Sequence, residues 1–287
     1  MRGFCDAVLR KNAIACIPDM ALLEISSIGD VERAFFMLRN LQLLLKGLGS
    51  RLQRSKDYKD LIQAEARRWL RFPVVTGWGE FEGASAKTLW GIAENLPESY
   101  DWLSKKKNEI YEFDRSMSKH FAADHGPIDP NFVVEAISAK RPPRVDDLVI
   151  EMAANLSDGL LSAEKIVADK NRFKATHLLS HLLYRLNLAN AASPGTLSPE
   201  QEHVIGLWRT KGGNRGKGAW YDMFIAGAAA YNEFLISDDD NQRRRCEHLK
   251  KTGLLGFHPI TLQEFLKWGF ESRAAAEQPG TEQGVDA

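Results

Sequence analysis

Between Asp222 and Trp268 the chain alternates helical and extended patterns, and that alternation constrains the fold more than any other stretch. The text YDMFIAGAAAYNEFLISDDDNQRRRCEHLKKTGLLGFHPITLQEFLKW parses as a helix over Asp222 to Asn232 and a short apolar strand over Glu233 to Ser237. A second helix over Asn241 to Lys251, a second strand over Leu254 to His258 and a final helix from Thr261 follow. Short apolar strands separated by helices pair in parallel, because a crossover helix returns the chain to the same end of the sheet. The expected class is therefore α/β, and ligands of open α/β sheets gather at the carboxyl ends of the strands.

The rest of the chain is organised around that segment. Residues 1–50 open with a short amphipathic helix (FCDAVLRKN) and a segment broken at Pro18-Asp19. A helix then starts at an Asp30 N-cap, with apolar residues at i, i+3, i+4 and i+7 and glycines at its end. Residues 51–200 are polar and helix-rich, punctuated by HGPIDP, AKRPPR and AASPGTLSPE, and read as a helical insertion. Residues 201–268 hold the α/β segment, and 269–287 have no apolar period and read as a disordered tail.

Charge and cysteine content remove several function classes. Thirty-eight basic side chains balance 38 acidic ones, which argues against coating nucleic acid by bulk charge but leaves local basic patches open. Three scattered cysteines do not make a disulfide framework or a thiolate zinc site. The apolar run Met223 to Tyr231 is far short of the roughly 20 residues that span a bilayer. Asp6, Arg10 and Lys11 interrupt any signal-peptide core, so the expectation is a cytoplasmic protein with no membrane partner.

Chemistry concentrates after the strand FLIS, where Asp238, Asp239 and Asp240 follow one another. Adjacent carboxylates repel unless solvent or a cation shields them. They also suit a solvated helix N-terminus, where the dipole favours acids. Asp222 opens a helix whose small-residue face, IAGAAA, suits close packing on a sheet, which would bring it to the same sheet edge. Glu24 is an acid in the otherwise apolar stretch MALLEISSI. Hard divalent cations such as Mg²⁺ and Mn²⁺ take oxygen ligands of this kind.

Asp222-Met-Phe-Ile-Ala-Gly-Ala-Ala-Ala, the strand Phe-Leu-Ile-Ser, then Asp238-Asp239, and Gly-Phe-His258-Pro259 resemble the C-terminal half of a PIN domain. Ile17-Pro18-Asp19-Met-Ala-Leu-Leu-Glu24 is similar to an earlier strand, turn and acidic residue of that family. The resemblance implies a three-layer fold with a central parallel sheet, made helix-rich here by the insertion. It implies a Mg²⁺- or Mn²⁺-dependent nuclease acting on RNA, in which Glu24, Asp222 and Asp239 hold the metal. Asp238 would assist and Ser237 would orient them; Asn241 stands where many members carry another Asp. Many small members are toxins, which implies a cognate antitoxin or regulatory protein as a partner. The family opens with a strand ending in Asp, whereas the 23 residues before Glu24 begin as a helix. Neither Asp6 nor Asp19 suits that role, so the resemblance implies either a start upstream of Met1 or a degenerate, non-catalytic binding module.

Smaller signals have two readings each. Arg209, Lys211, Arg215 and Lys217 form a glycine-rich basic loop that steers a phosphate backbone or is simply solvated. Arg243 and its neighbours Arg244 and Arg245 serve a phosphate backbone or neutralise the Asp cluster along a helix. His177 and His181 have a zinc-compatible i, i+4 spacing without a third ligand, and read as core residues. Trp69, Trp78, Trp90 and Trp102 read as core filling in preference to base stacking.

Overall fold

The computed structural model describes residues 2–18, 21, 30–55, 58–71, 105, 108, 128–139, 147–155, 160–193, 195, 197–209, 217–251, 253 and 255–268. They form a helix-rich α/β structure with small parallel sheets. Helix α1 (Arg2–Arg10) is followed by strand β1 (Ala15–Pro18). Asn12, at φ 53°, turns the chain between them, a conformation that asparagine tolerates better than most residues. Helix α2 (Val31–Leu48) starts where the sequence places it: Asp30 accepts from the Arg33 N–H at 3.1 Å. It stops at Gly49, whose φ of 55° favours a residue without Cβ. Ala34, Leu38, Leu41, Leu45 and Leu48 form its buried stripe.

Strand β2 (Leu52–Ser55) lies inside the stretch read from sequence as insertion, and pairs in parallel with β1 from Ala15↔Leu52 to Pro18↔Ser55. Its short text LQRS lacks the apolar run that announces a strand, so only the pairing reveals it. Arg51 secures the pair, donating to the Ala13 carbonyl at 3.3 Å and to Asn12 Oδ1 at 2.6 Å.

Helices α3 (Tyr58–Arg71), α4 (Pro130–Ser138), α5 (Asp147–Asn155) and α6 (Ala163–Ala168) surround α7 (Lys174–Ala191). Every residue of α7 from Ala175 to Ala189 is buried. A helix buried on all sides normally reads as apolar throughout, yet this one carries polar side chains that need internal partners. Glu65 of α3 is 1 % exposed and sits at the N-terminus of α7. It accepts from the N–H groups of Ala175 (2.6 Å) and Thr176 (3.0 Å) and from the Thr176 hydroxyl (2.6 Å). Donors that a helix start leaves orphaned are thereby satisfied by a buried carboxylate. Burial raises the Glu65 carboxyl to about 7, against the pull of its hydrogen bonds.

The other end of the helix uses arginines. Arg185 is fully buried and donates to the carbonyls of Ile137 (3.0 Å) and Ala139 (3.0 Å), where α4 ends. It also donates to His181 Nδ1 at 2.9 Å, which fixes that nitrogen as the acceptor. His177 Nε2 lies 2.7 Å from the Ile166 carbonyl and must carry the proton there. Both histidines are core residues, as the sequence suggests, and burial lowers the pKa of each. Trp69 packs on Phe173 at 5.7 Å between ring centroids, a core-filling role; Trp78, Trp90 and Trp102 lie outside the described residues.

The C-terminal segment comprises α8 (Pro199–Trp208), α9 (Lys217–Ala228), β3 (Phe234–Ile236), α10 (Asp240–Lys250), β4 (His258–Ile260) and α11 (Leu262–Lys267). Strands β3 and β4 pair in parallel, Phe234 opposite His258 and Ile236 opposite Ile260. The second strand begins four residues later than the apolar pattern suggests, after a turn in which Gly253 adopts φ 72°. Among the described residues the four strands form two separate two-stranded sheets. Among the described residues α9 packs chiefly on helices α7, α3 and α10, and in its small-residue run a Cβ at Gly227 would stand 3.5 Å from Leu179 of α7.

Candidate functional site

The carboxyl end of β3 leads directly into the acidic cluster. Ser237 extends the ladder, donating its N–H to the Ile260 carbonyl at 3.0 Å, and its Oγ accepts from the Asp239 N–H at 3.1 Å. Asp239 is the N-cap of α10, its Oδ1 accepting from the Gln242 N–H at 2.9 Å. Asp238 Oδ1 accepts from the Leu262 N–H at 3.3 Å, at the start of α11. Asp240 pairs along α10 with Arg243 (3.2 Å) and Arg244 (3.8 Å). Asp238, Asp239 and Asp240 are all exposed. Each acid thus has a local structural task while remaining open to solvent.

Asp222 has different surroundings. It lies in the second turn of α9, since the helix begins at Lys217 and not at the Asp itself. Its Oδ2 meets Arg245 Nη1 at 3.1 Å, and the two side chains are only 15 % and 9 % exposed. Arg245 also donates from Nε to the Leu207 carbonyl at 2.8 Å, capping α8. One guanidinium therefore neutralises a carboxylate and satisfies a helix end, a geometry that suits the planar donor fork of arginine. Nearby, burial first and the Asp222 carboxylate second push the Cys246 thiol up to about 12, which leaves it inert as a nucleophile.

Gln242 joins the two acids. It is buried, its backbone N–H caps onto Asp239, and its side-chain Nε2 donates to the Asp222 carbonyl at 3.0 Å. The segment starting α10 is thereby tied to the α9 turn that carries Asp222. Gln242 has no role in the sequence reading, although Asp239-x-x-Gln242 has the spacing of a helix-start capping pair. Arg245 is one of three adjacent arginines, and its charge alone does not reveal the partner across the fold.

The basic residues divide. Arg209 donates to the carbonyls of Ala189 (3.2 Å) and Ala192 (3.1 Å), closing the C-terminus of α7. Arg243 donates to the Ser237 carbonyl at 2.7 Å as well as to Asp240, the neutralising role among its two readings. Lys217 is the first residue of α9. Glu24, Lys211 and Arg215 lie outside the described residues.

Among the described residues no three His, Cys, Asp or Glu side chains gather as a metal-holding group. No helix among them is long and apolar enough to cross a membrane. No family model matches the sequence, and neither a curated protein nor a solved structure matches the chain.

Proposed function

We propose that the chain is a PIN-type, Mg²⁺- or Mn²⁺-dependent nuclease that hydrolyses phosphodiester bonds in RNA. The observation that supports this reading is the Gln242 link, which ties the main-chain carbonyl of Asp222 to the start of α10 that Asp239 caps, beside the carboxyl end of a parallel strand. The donor chemistry fits a hard cation: the acids here supply oxygen only, and Asp238 and Asp239 are open to solvent. On this reading Asp222, Asp239 and Glu24 hold the ion and Asp238 assists, within a three-layer PIN-like fold. When bound, such an ion lowers the pKa of a water and stabilises charge on the scissile phosphate. The protein's own contribution is positional: Ser237 and Gln242 fix Asp239, and Gln242 holds the α9 turn that carries Asp222 against the start of α10.

A second reading, a non-catalytic PIN-like module binding nucleic acid or protein, is favoured by one observation. Arg245 already supplies Asp222 with a positive charge at 3.1 Å, so a cation there must compete with a resident guanidinium. Cleavage of labelled single-stranded RNA separates the two. The nuclease reading expects Mn²⁺-dependent cleavage that EDTA abolishes and Asp239→Asn reduces at least a hundredfold. Binding of RNA without cleavage under any divalent ion supports the module instead.

A further inference from the structure

A second surface carries chemistry that the acidic cluster does not use. Trp268, at the end of α11, keeps 47 % of its surface exposed although it stands among aromatic rings. Phe234 of β3 meets it edge-on at 4.5 Å between centroids, and the His258 ring lies 6.0 Å beyond Phe234. Phe265, which is buried, and Phe4, which is half-buried, lie beneath, 5.7 Å apart between centroids. The Lys11 ammonium lies over the Trp268 ring, 4.6 Å from its centroid, and 5.4 Å from the Phe265 centroid, and donates to the Trp268 carbonyl. Lys250 Nζ lies 3.4 Å from His258 Nδ1. Among the described residues neither lysine has a carboxylate partner.

We infer that the Trp268 indole, with Phe234 and His258 beside it and Lys11 and Lys250 around it, is a platform on which one base of a single-stranded nucleic acid takes the place of the Lys11 ammonium over the ring, while the two lysines meet its phosphates. Stacking accepts any base because every base has a π-face, and the flanking cations track the backbone. An acidic peptide uses the charges but gains nothing from a half-open indole, whereas a base uses both. The platform also has a defined relation to the acidic cluster: Asp238 meets the first residue of α11 and Trp268 follows the last. Six helical residues span about 9 Å, so one strand of nucleic acid reaches both ends. That second relation rests on the nuclease reading; binding at the platform does not.

Fluorescence anisotropy of a labelled oligouridine with the whole chain in EDTA tests the platform without cleavage. Trp268→Leu keeps apolar bulk and removes the large indole face. It should weaken binding roughly tenfold, within the range of one lost base stack, while Trp268→Phe recovers part of the loss. Lys250→Ala should flatten the salt dependence by roughly one phosphate contact. Should the leucine protein fail to fold, the wild-type tryptophan emission on adding oligouridine decides: a quench absent from Trp268→Phe supports the platform, and an unchanged quench overturns it. Equal affinity of wild type and Trp268→Leu, no oligouridine binding at all, or equal binding of polyglutamate also overturns it. Asp239→Asn should bind oligouridine normally in EDTA, so loss of cleavage there and loss of binding at Trp268 are separate failures.

Discussion

Asp222 and Arg245 meet at 3.1 Å across two helices, and both are largely withdrawn from solvent. Replacing Arg245 with Met leaves the Asp222 carboxylate without this counter-charge and the Leu207 carbonyl without this donor. Breaking a buried pair from one side costs about 3 kcal/mol. If Asp222 is a metal ligand, Mn²⁺ replaces the missing charge. Differential scanning fluorimetry should show a lowered Tm for Arg245→Met and a larger Mn²⁺-induced rise than in the wild type.

Glu65 links helices α3 and α7 to the turn after α9, since its Oε1 also accepts from the Tyr231 hydroxyl at 2.5 Å. Its carboxyl lies at about 7 in the fold and near 4.5 when unfolded, because burial outweighs its hydrogen bonds. The folded state therefore holds this proton more tightly, and its contribution is full below pH 4.5 and lost as pH rises through 7. The difference is on the order of 3 kcal/mol. Burial gives the histidines the opposite sign: His181 falls to about 3 and His248 to about 4, so stability is lost as pH drops below 6.5. Glu65→Gln should remove the first contribution and leave the second, making the acid-side decline of Tm steeper than in wild type. It should also lower stability by about 1–3 kcal/mol at neutral pH, because its amide NH₂ faces backbone or hydroxyl donors.

Two helical glycines should respond in opposite ways. A Cβ at Gly227 meets Leu179 at an ordinary 3.5 Å, so Gly227→Ala should stabilise by up to about 1 kcal/mol through helix propensity. A Cβ at Gly47 would lie 2.7 Å from Cys5 Sγ and 3.3 Å from Cys5 Cβ, so the Cys5 side chain or helix α1 must shift. Gly47→Ala should lower the urea midpoint, and Cys5→Ala in the same protein should restore part of it.

The local elements of the C-terminal segment were legible because caps and periodicity act over a few residues. Thr261 starts its helix where the sequence places it, and outside that segment Asp30 does the same for α2. Long-range satisfaction was not legible. Nothing near Glu65 in sequence announces that it caps a helix beginning at Lys174, nor does the spacing of Arg245 point to Asp222. The small face of α9 signalled close packing correctly, but small residues do not specify whether a helix or a sheet lies opposite. At the acidic cluster the order of residues identified the strand end, while the cap on Asp239 and the Gln242 link required the fold.

The most direct test of the metal site is an electron paramagnetic resonance titration of Mn²⁺ into wild type and Asp239→Asn. Asn caps a helix about as well as Asp, so the substitution removes charge while keeping α10 and the Tm intact. The nuclease account predicts that wild type removes free Mn²⁺ signal at stoichiometric protein and that Asp239→Asn binds at least tenfold more weakly. Wild type that leaves the free signal unchanged, or an Asp239→Asn protein that binds equally well, would contradict it.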